Sequence, residues 1–244
     1  MALFRTFALI CILALSLFAR SDVAPRTIVV TDIDDTIRHT HVRPEDERIS
    51  SRAKQIWKLA SGLFKSNNAF IGMPSLYNAL AAGGAEIHYV SGAPQILSFI
   101  PEKFLEGAGF PQGELWLRPT VRVSTQDYKL SRIAEIIESD PQARIVLIGD
   151  NGEADAETYR KLQADPRFAS RIQGVFIHKL YGEQTGQTGQ PLAFGQKGFL
   201  TSADLAVELN RVGVLSNEAA LETVNLVGRS RSLQGLSCRS LFAR

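Results

Sequence analysis

The sequence TIVVTDIDDTI, residues 27–37, contains the strongest evidence for the fold of this chain. A short apolar run is followed by Asp32 and Asp34, which stand two positions apart, and then by Thr36. Such a run is typical of a strand buried in a parallel sheet. Because side chains alternate along extended backbone, we expect Asp32 and Asp34 to point to the same side. Two neighbouring carboxylates can hold a hard cation, attack a phosphorus atom or transfer a proton.

Strand-like and helix-like stretches alternate along the chain, which predicts a parallel sheet with helices on both faces. Predicted strands cover 27–32, 86–91, 114–118, 144–149 and 172–178; predicted helices cover 73–82, 95–107, 126–139, 154–162, 202–212 and 217–224. We expect the helix over 95–107 to be kinked or divided at Pro101. The fold class is therefore α/β, a three-layer Rossmann-like sheet. Ligands of such sheets bind beyond the carboxyl ends of the strands, where Asp32, Ser91 and Asp150 all fall.

An insertion of about residues 38–72 separates the first strand from the first helix of the body. It begins polar and continues with a helical pattern of apolar residues, namely Ile56, Trp57, Leu59, Ala60 and Leu63. Its position directly after the acidic motif predicts a small cap that covers the site and excludes water. The alternative is a helix that packs on the body and has no gating role.

Composition indicates one globular domain, which we place at residues 25–227. The 244 residues are 45% hydrophobic and 21% charged, enough for one sizeable α/β core. The formal net charge of +2 carries no nucleic-acid signal. Two cysteines, Cys11 and Cys238, are too few for a cysteine-based metal site. The sequence does not indicate an oligomeric state.

Residues 1–24 have the features of a secretory signal. An apolar stretch from Thr6 to Ala19 follows Arg5 and is shorter than the roughly 20 residues that a membrane span needs. Cleavage could follow Ala19 or Ala24. We therefore expect an exported protein, periplasmic or secreted; an uncleaved membrane anchor and a disordered cytosolic leader are the alternatives.

Residues 228–244 form a basic tail that we expect to be disordered. It carries four arginines and no acidic residue, the arginines being Arg229, Arg231, Arg239 and Arg244. Such a tail could make peripheral contact with an anionic membrane, or it could simply be solvated.

Four segments in order carry the chemistry: Asp32 to Thr36, Ser91, Lys129, and Asp150 with Asp155 five residues further on. In this order and placement they resemble the haloacid dehalogenase superfamily of phosphotransferases. A closer resemblance is to the phosphatidate phosphatase catalytic-domain family typified by the yeast actin-patch enzyme, carried by residues 32–37, 72–77, 88–91, 109–111 and 147–155. The resemblance implies Mg²⁺-dependent removal of phosphate from phosphatidate and related lipids.

The residue types fit that chemistry. Mg²⁺ between a phosphate dianion and a carboxylate removes their repulsion. Asp32 would attack phosphorus to form an aspartyl-phosphate, and Asp34 would act as general acid and then general base. Asp150 would be a second carboxylate ligand of the metal, beside Asp32, and Asp155 would ligate it or orient its ligands. The resemblance also implies that the backbone carbonyl of Asp34 faces the metal.

The phosphoryl group would be bound by Thr36, Ser91, the amide of Gly92 and Lys129. Several of these residues have plainer alternatives. Ser91 could be a turn residue, and Lys129 a solvated helix lysine whose charge is replaced by Arg118 or Arg122. Asp155 could be a helix-start carboxylate. Asp35 is expected to be a hydrogen-bonded support rather than a ligand.

Departures from the family pattern leave the leaving group open. The family usually has Asn where Gly92 stands, His where Tyr128 stands and Ser where Asn151 stands. The leading hypothesis is an Mg²⁺-dependent phosphatidate or lysophosphatidate phosphatase. The alternatives are a phosphatase of a soluble periplasmic phosphomonoester, and a non-catalytic phospholipid-binding module.

Overall fold

The computed structural model describes residues 25–40, 68–182 and 189–233. The strands in this part of the chain are β1 (Thr27–Thr31), β2 (Glu86–Pro94), β3 (Glu114–Arg118), β4 (Arg144–Asp150), β5 (Ile172–His178) and β6 (Lys197–Phe199). The α-helices are α1 (Met73–Ala82), α2 (Phe99–Gly107), α3 (Thr125–Ser139), α4 (Asp155–Ala164), α5 (Ser202–Arg211) and α6 (Asn217–Leu233).

The strands form one parallel sheet in the order β3-β2-β1-β4-β5-β6. The order runs outward from β1 to β3 on one side and from β4 to β6 on the other. The order in which strands are added to the sheet therefore reverses between β1 and β4. A crevice opens at this point, at the carboxyl ends of the strands. This is the Rossmann strand order, and it confirms the predicted α/β class.

Two apolar layers cover the sheet because alternate strand residues face opposite sides. Ile28 and Val30 of β1 pack against α3 and α4, together with Ile133, Tyr159 and Leu162. Val29 packs on the other side against α1, α2 and α5, together with Leu76, Phe104 and Leu205. Both faces of the central strands are thus removed from water, which leaves only the strand ends available for a polar site.

Strand β6 and the segment 95–107 differ from the sequence prediction. β6 was missed because its sequence Lys-Gly-Phe has no apolar run, and it exists only through pairing with β5. The segment 95–107 is divided, but at Ser98: a 3₁₀ helix at Gln95–Leu97 precedes α2. Pro101 lies in the first turn of α2, where the missing N–H has no helical partner to lose.

Helix α6 corrects the predicted start of the tail. It continues to Leu233, so the first residues of the segment expected to be disordered are helical. The rest of the tail, the predicted signal at residues 1–24 and the cap residues 41–67 lie outside the described residues. No helix among the described residues combines the length and apolar character that crossing a bilayer requires.

Candidate active site

Asp32 and Asp150 lie at the carboxyl ends of β1 and β4, on the two sides of the point where the strand order reverses. The backbone N–H of Asp32 donates to the carbonyl oxygen of Ile148 at 2.9 Å, which extends the pairing of the two strands into the site. Asp32 is 3% exposed and Asp150 is 1% exposed. The sheet therefore places two buried carboxylates side by side, as the sequence predicted.

Lys129 is the cation at the centre of this cluster. Its Nζ donates to Oδ1 of Asp32 at 2.7 Å and to Oδ1 of Asp155 at 2.6 Å. Helix α3 brings it there with only 1% of the side chain exposed, so it is not a solvated helix lysine. The helix begins after Ser124, whose side chain accepts from the N–H of Asp127. Lys129 offsets part of the negative charge that the acidic residues bring.

Asp155 is fully buried and holds two other groups in place. Besides accepting from Lys129, its Oδ2 accepts from the backbone N–H of Asp150 at 3.3 Å. Since the same carboxylate touches the lysine and the strand end, Asp155 orients both. It also begins α4, which agrees with the favourable position of an acid at a helix N-terminus.

The side chain of Asp34 contacts Ser91, near the end of β2, and Arg38. Its Oδ2 accepts from Oγ of Ser91 at 3.5 Å, and its Oδ1 lies 3.8 Å from the guanidinium of Arg38. Ser91 is buried, and its Oγ also accepts from the backbone N–H of Ala93 at 3.0 Å. The side chain of Asp34 remains 23% exposed, so it can reach solvent or a bound molecule.

Thr36 and Gly92 complete the set of predicted site residues. Oγ1 of Thr36 donates to Oδ2 of Asp32 at 3.0 Å, so the hydroxyl orients the carboxylate. Gly92 follows Ser91 on β2 and lies against the start of α3. A Cβ at Gly92 would lie 2.6 Å from Cγ2 of Thr125, so this close approach requires glycine.

The carboxylates are arranged as a cation site would need. One oxygen from each of Asp32, Asp150 and Asp155 lies within 4.8 Å of the others. Among the described residues, Oδ2 of Asp150 is buried and has no hydrogen-bond partner, while Oδ1 accepts from the N–H groups of Gly152 and Glu153. An unsatisfied buried carboxylate oxygen is costly, and a bound cation would satisfy it. The residues present therefore fit Mg²⁺, which prefers oxygen ligands.

The protonation behaviour of the acids supports the same interpretation. Burial raises the pKa of Asp32 and of Asp150 well above the ordinary carboxyl range. Removal from water also raises the pKa of Asp34 to about 6, although Arg38 opposes the shift. Burial works against the charge of Lys129, but Asp155 and Asp32 outweigh it and raise its pKa well above the usual value. A cation bound in the cluster would oppose these upward shifts, because positive charge favours the ionised carboxylates.

Sequence reasoning missed three side chains that touch the site. Arg38 is 1% exposed, lies beside Asp34 and covers the ring of Phe104 at 5.1 Å. Its position four residues after Asp34 was the only available signal. Asn151 had been noted only as a departure from a family pattern. Tyr181 follows β5, 146 residues from Asp35, whose carboxylate its hydroxyl contacts, and nothing local in the sequence indicates that contact.

Fold and site together define a parallel α/β domain with an acidic cluster at the switch point of its sheet. The chain belongs to the family described as the catalytic domain of phosphatidate phosphatase APP1, whose model matches residues 27–179. This confirms the resemblance seen in the motifs. The chain is 31% identical over 169 residues to phosphatidate phosphatase APP1 of Saccharomyces cerevisiae, and 27% identical over 165 residues to an uncharacterized protein of Schizosaccharomyces pombe.

These matches cover 66% and 65% of this chain but 27% and 26% of the relatives, so the chain spans about a quarter of their length. Solved structures with a related arrangement are more distant. A protein named DsGPDH, from Dunaliella salina, is 14% identical with a TM-score of 0.49, over 75% of this chain and 36% of that one. A HAD family hydrolase from Deinococcus radiodurans R1, with bound phosphate and sodium, is 11% identical with a TM-score of 0.47, over 79% and 99%.

Proposed function

We propose that this protein is an Mg²⁺-dependent phosphomonoesterase that works through an aspartyl-phosphate and acts on phosphatidate or lysophosphatidate. The observation that carries the proposal is the placement of Asp32. Its carboxylate is buried at the switch point of the sheet and is held by Lys129 at 2.7 Å and by Thr36 at 3.0 Å. A nucleophile restrained from both oxygens needs little reorganisation to attack phosphorus.

In the first half of the reaction, an oxygen of Asp32 forms a bond to phosphorus and the bond from phosphorus to the alkoxide breaks. Asp34 gives its proton to the departing alkoxide, which leaves as an alcohol. The raised pKa of Asp34, about 6, means that the carboxyl can carry this proton near neutral pH. Ser91, whose Oγ lies 3.5 Å from Oδ2 of Asp34, would bind a phosphoryl oxygen together with the amide of Gly92.

In the second half, Asp34 takes a proton from a water molecule. The resulting hydroxide attacks phosphorus, the bond to Asp32 breaks, and inorganic phosphate leaves with the carboxylate restored. Asp32 and Asp150, and the backbone carbonyl of Asp34 as the resemblance implies, would hold Mg²⁺, with Asp155 as a further ligand or a support. When bound there, Mg²⁺ supplies the positive charge that lets a carboxylate approach a phosphate dianion.

Two features favour a lipid over a soluble ester. The first is the family, which is that of the catalytic domain of phosphatidate phosphatase APP1. The second is the exposed apolar surface after the end of β2, where Ile96 is 78% exposed and Phe99 is 40% exposed. These side chains belong to the same edge of the sheet as Ser91. Peripheral contact of this edge with an anionic membrane would present the substrate headgroup to the site.

A soluble periplasmic phosphomonoester is the second candidate substrate, because Gly92 and Tyr128 depart from the family pattern near the site. A non-catalytic phospholipid-binding module is the third candidate function. The intact set of Asp32, Asp34, Lys129 and Asp150 argues against it, since a binding role alone would not need a restrained nucleophile.

Phosphate release by the purified full chain tests the proposal. Phosphatidate in mixed micelles and soluble phosphomonoesters would be compared, each with Mg²⁺ and with EDTA. We expect Mg²⁺-dependent release with a preference for phosphatidate. Preference for a soluble ester would replace the substrate and keep the mechanism, whereas Mg²⁺ binding without any release would favour the binding module.

We also infer export from the apolar segment at residues 6–19. Fractionation of cells expressing the full chain, followed by mass measurement of the product, tests this. A product outside the cytoplasm that lacks the leader supports export with cleavage, and an intact product in the membrane fraction supports an anchor.

A further inference from the structure

The loop that follows β4 and the segment that follows β5 are joined through one side chain, that of Asn151. Its Oδ1 accepts from the backbone N–H groups of Leu180 and Tyr181, each at 3.0 Å, and its Nδ2 donates to the carbonyl oxygen of Tyr181 at 2.7 Å. Its backbone carbonyl accepts from the N–H of Gln190 at 2.6 Å. Asn151 therefore fixes Tyr181 immediately beside Asp150.

Tyr181 extends from this anchor to the loop that carries Asp34. Its hydroxyl donates to Oδ2 of Asp35. On the way its ring packs on Gly152, where an added Cβ would collide with the ring carbons. The N–H of Gly152 donates to Oδ1 of Asp150, the proposed metal ligand. One side chain thus touches both the acidic motif after β1 and the backbone that orients Asp150.

The backbone at Asp35 needs such support. Asp35 has φ 61° and is the non-glycine residue with positive φ in the described part of the chain. Left-handed backbone is unfavourable for a residue with a Cβ and persists only where surrounding contacts enforce it. Besides Tyr181, Asp35 is held by the N–H and hydroxyl of Thr40, at 2.9 and 2.7 Å, and its carbonyl pairs with Nδ1 of His178 at 2.8 Å.

We propose that Tyr181 and Asn151 are positioning residues, which hold the loop of Asp34 in register with the loop of Asp150. The kinetic part of this proposal rests on the function proposed above. Asp34 directly precedes Asp35, so the direction of the general acid follows the conformation that Asp35 adopts. A shift of about 1 Å in such a group can cost about 100-fold in rate, which gives this link a role beyond stability.

The residue type at 151 matters for this link. A serine at this position has one donor and a shorter side chain, so it cannot make the three side-chain hydrogen bonds of Asn151 at once. The asparagine is therefore a specific feature of this chain, and it couples the segment after β5 to the site.

The test compares Tyr181→Phe and Asn151→Ser with the control Tyr89→Phe, all made in the full chain. The control also removes one hydroxyl hydrogen bond, which Tyr89 donates to the carbonyl oxygen of Pro111 at 2.9 Å, outside the site. We expect the two site variants to lower kcat about 10-fold while KM changes less than about 2-fold, because orientation and not substrate binding is affected. The control keeps the wild-type kcat although all three variants lose similar thermal stability.

Two measurements do not depend on turnover. Amide hydrogen exchange should quicken at residues 33–40 and 150–153 in Tyr181→Phe and stay unchanged there in Tyr89→Phe. Calorimetric titration with Mg²⁺ should show affinity weakened about 10-fold in Asn151→Ser, as is typical for loss of groups that support metal ligands. The double variant Tyr181→Phe/Asp35→Asn should be no slower than the slower of its two single variants, because both substitutions act on the hydrogen bond between Tyr181 and Asp35.

Wild-type kcat and exchange in Tyr181→Phe, together with wild-type kcat and Mg²⁺ affinity in Asn151→Ser, would overturn the proposal. An equal loss of kcat in Tyr89→Phe would also overturn it, since the effect would then be general destabilisation. If the wild-type chain released no phosphate at all, the function proposed above would fail, while exchange and calorimetry would still decide whether the link exists.

Discussion

Lys129 Nζ lies 2.7 Å from Oδ1 of Asp32, although 97 residues separate the two in the sequence. The pair is buried, and Asp155 accepts from the same ammonium group at 2.6 Å. Taking these charges out of water costs desolvation, which the short contacts of Lys129 with both carboxylates offset. The pair lies at the switch point of the sheet, where α/β domains bind their ligands.

Replacing Asp32 removes the proposed nucleophile with little change of shape. Asp32→Asn should lower phosphate release by at least about 1,000-fold, because the loss of a covalent nucleophile leaves only binding and electrostatic effects. Circular dichroism should show an unchanged fold. Appreciable turnover in this variant would contradict the assignment of Asp32 as nucleophile. Asp127→Asn, at an exposed position on α3, is the matched control.

The effect of replacing Asp34 should depend on the leaving group, because Asp34 is the proposed general acid. The Asp34→Asn variant cannot protonate an alkoxide, so phosphate release from an alkyl phosphate should fall strongly. Formation of the phospho-enzyme from an aryl phosphate should fall far less, because a phenolate leaves without protonation. Burst kinetics with both substrates would measure this. Equal losses for the two leaving groups would contradict the general-acid role.

Replacing Lys129 should destabilise the protein. Lys129→Met leaves Asp32 and Asp155 buried without their cation, which typically costs about 3–5 kcal/mol. Urea unfolding would measure the loss. The exposed Lys103→Met should change stability by less than about 0.5 kcal/mol. If Lys129→Met were as stable as the control, the ion pair of Lys129 would not contribute to the free energy of unfolding.

The metal-free protein should lose stability as pH rises. Burial disfavours the charged form, so it raises the folded-state pKa of Asp34 to about 6 and the pKa of Asp32 and of Asp150 well above the unfolded value. The folded state therefore binds more protons than the unfolded chain between these values, and stability falls with increasing pH. Lys129 stays charged throughout because its pKa is also raised.

Thermal unfolding in EDTA from pH 5 to pH 8 would measure this slope. Mg²⁺ should reduce the slope by compensating the carboxylates, and Asp150→Asn should reduce it in the metal-free protein. A midpoint that rises steadily over this range in EDTA would contradict the raised pKa values.

The exposed apolar surface beside the site should matter only for a lipid substrate. Ile96 is 78% exposed, so Ile96→Ser should leave stability within about 0.5 kcal/mol of wild type. If the side chain enters a membrane, its transfer is worth about 1.5–3 kcal/mol, and kcat/KM on phosphatidate vesicles should fall about 10-fold or more. Leu221→Ser, on α6, is the control. An unchanged rate on vesicles would mean that this surface does not contact lipid.

Much of the site could be predicted because its residues stand directly after apolar strands. Asp32 and Asp150 follow runs that must be buried, and parallel strands end at a common edge. Lys129 was harder, since an amphipathic helix carries many lysines and only packing distinguishes a buried one. Arg38, Asn151 and Tyr181 have polar side chains in loops, where no periodicity reports on burial.

The sequence alone determined the alternation of strands and helices, the class of fold and the acidic residues at the strand ends, because these depend on local periodicity and on the chemistry of the side chains. The tertiary structure decided the strand order, the short edge strand β6, the burial of Lys129 between Asp32 and Asp155, and the contact of Tyr181 with Asp35. These features join residues far apart in the chain. Their stability comes from desolvation and hydrogen bonding between separate elements, which no local pattern of residues encodes.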